Sequence, residues 1–103
     1  MASGTINNSE TLRFNIANGT DFDDLTAPFG TDRLFYGDNI SSMINKPSSE
    51  VSAFPFAVDV VNMGGYRLQK LMVYTSTGAP REYRRQQYYS SGNRPYGAWV
   101  QTV

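Results

Sequence analysis

The densest run of chemically versatile side chains is Arg81-Glu82-Tyr83-Arg84-Arg85-Gln86-Gln87-Tyr88-Tyr89. On an extended strand, Arg81, Tyr83, Arg85, Gln87 and Tyr89 fall on one face, and Glu82, Arg84, Gln86 and Tyr88 on the other. Tyrosine rings, guanidinium forks and side-chain amides together suit recognition of a sugar or a protein, through ring faces, cation–π contacts and directional donors. The bland alternative is that one face sends its tyrosines into a core while the other carries solvated arginines. Single-stranded nucleic acid also uses aromatic–basic surfaces. Nine basic against nine acidic residues, however, leave no net charge to attract a polyanion, so no nucleic-acid partner is expected.

Catalysis finds little to work with. The chain has neither histidine nor cysteine, which removes Ser-His-Asp and Cys-His arrangements and nearly every zinc site. Asp21, Asp23 and Asp24 could hold a hard cation, but the spacing lacks the central glycine and distal glutamate of an EF-hand. A helix cap with solvated acids is the expected role for this group. Asp59 and Glu82 are further carboxylates, and nothing in the sequence brings two acids to the separation that glycoside hydrolysis needs. No enzyme activity, no cofactor and no metal are expected. Trp99 is expected to anchor a core, and Tyr96, three residues earlier, to point to the opposite face of a strand.

The elements that must position these residues read as β-structure. From Tyr66 to Val103, three runs of about eight residues are separated by Ser76–Pro80 and Ser90–Pro95, which is the pattern of an antiparallel meander. Most of the tyrosines, the single tryptophan and six of the nine basic residues lie in this stretch. Upstream, Leu12-Arg13-Phe14-Asn15-Ile16 alternates as a half-buried strand with Leu12, Phe14 and Ile16 facing in. Thr20 or Asp21 can cap a single helical turn that Pro28 ends, with Phe22 and Leu25 on one face. Arg33–Gly37 reads as a strand, and Ile40–Ser49 as a loop or irregular crossing. Phe56–Met63 is the strongest strand, followed by the hairpin signal Gly64-Gly65. The expectation is a mostly β chain: a small antiparallel, sandwich-like knob of about six strands with at most one short helix.

At 103 residues the chain is expected to form one domain over 12–103, after a flexible polar segment at 1–11. No apolar run approaches the ~20 residues of a membrane span, so no membrane insertion is expected. Only 40% of the chain is apolar while 14% is aromatic, a balance that suggests burial completed against further copies of the chain.

Five blocks occur in a fixed order over roughly residues 20–103: Phe22-Asp23-Asp24-Leu25-Thr26-Ala27-Pro28, Asn45-Lys46-Pro47, Leu68-Gln69-Lys70, Tyr83-Arg84-Arg85 and Tyr96-Gly97-Ala98-Trp99. Together they resemble the pyocin-knob domain of phage and pyocin tail fibres. Two positions depart from that pattern: Tyr96 stands where the family usually has a tryptophan, and Phe29 precedes Gly30. The resemblance implies a β-rich knob in the virion tail fibre, a homotrimer beside other fibre segments, that attaches to the host. Its target would be a bacterial surface polysaccharide or lipopolysaccharide. It implies structural roles for Asp24, Leu25, Pro28, Gln69, Arg84 and Trp99. Loops on a rigid scaffold commonly carry binding, so Ser90–Pro95 and Asn45–Ser52 are the candidate contact loops. Arg85, Tyr88, Tyr89, Asn93, Arg94 and Tyr96 are the expected ligand-binding residues. The alternative is a structural virion domain that folds or trimerises the fibre without touching a receptor.

Overall fold

The computed structural model describes residues 12–103; the segment 1–11, expected to be flexible, lies outside the described residues. The described residues form six strands: β1 (Leu12–Asn15), β2 (Thr31–Gly37), β3 (Phe56–Met63), β4 (Tyr66–Val73), β5 (Arg81–Gln86) and β6 (Val100–Gln101). They join in one sheet in sequence order. The fold is mostly β, as the alternating runs predict. The sheet is mixed rather than wholly antiparallel, because β1 pairs parallel with β2. A parallel pair needs a crossover, and the segment between β1 and β2 supplies it.

That crossover carries a single 3-10 turn at Phe22–Asp24, and a second turn follows at Ile40–Ser42. Asp21 caps the first: its Oδ1 accepts from the backbone N–H of Asp23 at 2.8 Å. Asn39 caps the second by accepting from the N–H of Ser41 at 3.1 Å. These short turns and the loop through Glu50 occupy the place of a second sheet. The thinnest dimension of the molecule is 24 Å, which suits one sheet and one covering layer.

The sheet therefore has a covered and an open face. Register puts Phe35, Val58, Leu71 and Tyr83 in one transverse row, and Phe56 and Val73 in the next. These side chains join Phe22, Leu25, Ile40 and Met43 in the core. Phe22 and Leu25 face it together, as their spacing predicts. Gly37 lies opposite Phe56, and a Cβ there would stand 2.8 Å from its ring. The missing side chain thus lets the largest core residue of β3 pack onto β2. At the edge, Phe14 stacks on Phe35 with ring centroids 5.5 Å apart. Leu12 and Phe14 remain exposed, so of the expected inward stripe only Ile16, just past β1, packs against the core.

The open face carries Leu34, Ala57, Val61, Leu68 and Met72, crossed by a charged row. In register, Asp59 lies opposite Lys70 and Lys70 opposite Arg84. Asp59 also meets Asp32, and burial followed by that neighbour pushes its carboxyl above the usual range. One Asp59 carboxylate oxygen is buried without a partner, which a proton shared with Asp32 would satisfy. An acid with a raised folded pKa loses stability as pH climbs from its unfolded to its folded value. Asp59→Asn is therefore expected to stabilise the fold near about pH 7 by ~0.2–1 kcal/mol, the scale of a like-charge sheet pair. The gain should vanish below about pH 3, where both states are protonated. Urea unfolding of wild type and variant at both pH values measures the difference.

Candidate functional site

The connection from β5 to β6 builds the site. Gln87 bridges Tyr96 and Ser90 bridges Asn93, so residues 87–96 form a short hairpin arm beyond the sheet. At its tip the backbone N–H of Ser90 donates to Asn93 O and that of Asn93 to Ser90 O, both at 2.8 Å. Ser91 and Gly92 adopt φ of 47° and 85°, the two positive values of a type I′ turn. The run from Arg81 thus ends as regular strand at Gln86 and continues as the rising limb of this arm.

Two contacts pin the arm to the tip of the β3–β4 hairpin. Arg94 Nη1 donates to Gly65 O at 2.9 Å, and its guanidinium lies 4.7 Å from the Tyr66 ring centroid. A Cβ at Gly65 would come within 2.9 Å of that nitrogen, so glycine admits the arginine as well as the turn. Beneath them, Gln87 Oε1 accepts from the Arg67 backbone N–H at 2.8 Å while its Nε2 donates to Arg94 O at 2.9 Å. The buried amide locks the arm at its root, which leaves Tyr88 and Tyr89 49% and 66% exposed.

Two adjoining grooves of about 440 Å³ each open beside this arm. The first is walled by Val61, Met63, Tyr66, Leu68, Tyr88 and Tyr89. The second includes Leu68, Arg84, Gln86, Tyr88, Val100 and Thr102. Leu68, Gln86 and Tyr88 border both, so Tyr88 forms a ridge between them. No carboxylate lines either groove among the described residues. Each has the volume of a small-molecule site, with apolar walls and a few polar groups.

The expected ligand-binding residues divide into two sets. Tyr88, Tyr89, Asn93 and Arg94 are exposed on the arm. Arg85 and Tyr96 lie on the covered side. Arg85 is 7% exposed; its Nε donates to Gln69 Oε1 at 2.8 Å, and Nη2 lies 2.9 Å from Asp23 Oδ1. Its guanidinium sits 3.8 Å from the Tyr96 ring centroid and 4.6 Å from that of Trp99. Burial lowers the Arg85 pKa against the pull of Asp23, and burial likewise raises that of the Tyr96 phenol. The placement of Tyr96 and Trp99 on one guanidinium corrects the expectation of opposite faces. Regular strand resumes only at Val100: Gly97 bonds back to Gln86 O at 2.9 Å, and the irregular backbone between turns Trp99 inward.

The residues assigned framework roles are also dispersed. Gln69 is fully buried and donates through Nε2 to Phe22 O at 2.7 Å, tying the first 3-10 turn to β4. Trp99 packs edge-on to Phe22 and donates Nε1–H to Asn45 O at 2.9 Å. Leu25 is in the core, whereas Asp24 and Pro28 lie at the surface of the entry turn. Arg84 is exposed on the open face. The segment Asn45–Ser52 borders a separate groove on the covered side, lined by Lys46, Ser48, Ser49 and Trp99 among others. Gln86 is read from the sequence on one strand face with Arg84 and Tyr88, whereas Leu68 and Tyr66 escape as site residues because only the sheet register brings them beside the arm.

No family model matches the chain, and no curated protein or solved structure matches it either.

Proposed function

We propose that this chain is a binding module, the knob of a tail fibre or receptor-binding protein, and that it attaches to a bacterial surface glycan. The observation that carries the reading is the arm: Arg94 fixes it to a rigid sheet, and it holds exposed Tyr88 between paired grooves and exposed Tyr89 on the wall of the first. Tyrosine offers a large amphipathic surface that loses little conformational freedom on binding, and locking the arm in advance lowers the ordering cost. The resemblance of the Phe22–Pro28, Asn45–Pro47 and Tyr96–Trp99 blocks to pyocin knobs supplies the virion setting and the homotrimer. The open sheet half around Leu34, Tyr36 and Tyr74 leaves room for subunit contact apart from the arm. Three copies would then raise avidity for a repetitive polysaccharide.

The test is binding of the purified chain to a panel of bacterial surface polysaccharides and lipopolysaccharides. Tyr88→Ala/Tyr89→Ala is expected to weaken the best binder by at least about tenfold, roughly 1.4 kcal/mol, with an unchanged circular dichroism spectrum. Absence of binding by the wild-type chain to every member, together with a stable trimer by light scattering, would favour the structural virion role instead.

A further inference from the structure

Arg84 presents an unpaired charge on the open face of the sheet. It is exposed on β5, lines the second groove, and makes no hydrogen bond or ion pair among the described residues. Its cross-strand neighbour is Lys70, also exposed. Like charges directly opposite one another destabilise a sheet, and the chain's balanced charge makes the pairing a local choice. Two carboxylates share this face nearby: Glu82, opposite Met72, and Asp59, opposite Lys70. Neither is ion-paired with Arg84 or Lys70. The field of Lys70 is already drawn upon by Asp59, whose carboxyl it lowers against the larger effect of burial.

From Arg84 the groove runs along Gln86 to the Tyr88 ridge, with Val100 and Thr102 on its far side. A planar guanidinium binds carboxylate or phosphate through paired N–H donors. An aromatic wall beside it takes the apolar face of a sugar ring, and Gln86 and Thr102 offer hydroxyl-matching groups. We propose that this groove selects an acidic sugar, with its carboxylate or phosphate on Arg84, supported by Lys70, and its ring against Tyr88. The proposal rests on the glycan reading above and narrows it to anionic glycans. A single arginine and lysine neutralise too few phosphates to hold a nucleic-acid strand.

Titration of the isotope-labelled chain with three probes separates the possibilities: uronic-acid oligosaccharides, phosphorylated lipopolysaccharide core oligosaccharides, and neutral glucan oligosaccharides of matched length. A thymidine oligonucleotide serves as the polyanion control. An acidic oligosaccharide is expected to shift the amides of Arg84, Gln86 and Tyr88, and Arg84→Gln to weaken it at least about tenfold. Arg84→Lys should restore part of the affinity, and added salt should weaken wild type more than Arg84→Gln. Which acidic probe binds distinguishes carboxylate from phosphate. Neutral probes binding as tightly as acidic ones at Tyr88, unaffected by Arg84→Gln, would overturn the acidic selection and leave glycan recognition standing. Tighter binding of the oligonucleotide would overturn it in favour of nucleic acid. No shift with any probe would remove both the selection and the glycan reading.

Discussion

Arg85→Met is expected to lower the unfolding free energy by about 3–5 kcal/mol, the range for removing one partner of a buried charged network. Methionine keeps much of the apolar stem and deletes three separate contacts. Gln69, fully buried, loses the donor to its Oε1, and an orphaned buried acceptor costs about 1–3 kcal/mol. The rings of Tyr96 and Trp99 lose a desolvated guanidinium at 3.8 and 4.6 Å, at about 2 kcal/mol. The ion pair adds least, because the Asp23 side chain is 47% exposed, and solvent-screened pairs are worth about 0–1 kcal/mol. In a domain whose total stability is typically about 5–15 kcal/mol, this loss leaves a narrow margin. Urea denaturation followed by circular dichroism measures it, with a fall in Tm of more than about 10 °C expected alongside.

A second variant distinguishes an orphaned amide from lost packing. In Gln69→Leu/Arg85→Met no side-chain polar group of that pair is left inside, although Phe22 O loses the donor it receives from Gln69. Buried polar pairs replaced together by apolar residues often lose little, so the double variant should be more stable than the sum of the two singles predicts. Strict additivity, or an Arg85→Met loss under about 0.5 kcal/mol, would mean that the guanidinium is incidental to the core.

This network marks the limit of what residue order shows. The strands are legible from the alternating stripe of β1, the Phe56–Met63 run of β3 and the turn clusters that bound the later ones, and Gly64-Gly65 sits at the β3–β4 turn because two positive φ values are needed there. Phe22 and Leu25 reach the core as a three-residue spacing predicts. The same alternation places Arg85 on a face with Tyr83, yet whether that face turns to solvent depends on the covering layer. The layer comes from the segments 20–30 and 38–54 on either side of β2, whose short turns have no periodic signal. Tyr96 and Trp99 are misplaced for a related reason: strand geometry extended through Gly97 fails where the backbone departs from it. The parallel pairing of β1 is equally hidden, since one alternating stripe fits either direction. Within the arm, Tyr88, Tyr89, Asn93 and Arg94 are legible from composition and turn residues. Tyr66 and Leu68 enter only through register.

Glu50 has no sequence signal at all, and its removal is the other large effect expected. Ser48-Ser49-Glu50 reads as solvated loop, yet Glu50 is 0% exposed. Its carboxylate accepts from Arg81 Nε at 2.7 Å and Nη2 at 2.9 Å, and from the Tyr83 hydroxyl at 2.5 Å. These partners lie 31 and 33 residues away, so the covering loop is stapled to β5 from inside the core. Glu50→Gln keeps the shape but turns one acceptor into a donor facing donors. The expected cost is about 2–4 kcal/mol, with the Arg81 share discounted because that side chain is 37% exposed.

The pH dependence identifies the mechanism. Hydrogen bonds from Arg81 hold the Glu50 carboxyl below its usual range, outweighing the upward push of burial, and Tyr83 adds to them. A depressed acid contributes stability above its unfolded pKa, about 4.3, and loses it as pH falls through the folded value. Asp59 titrates with the opposite sign and would blunt the trend, so the comparison belongs in an Asp59→Asn background. There, the stability gap between chains with and without Glu50→Gln should be widest near about pH 6–7 and shrink steadily towards about pH 3. A gap that stays constant across that range would assign the loss to packing geometry, and the charge on Glu50 would have no part in holding the loop.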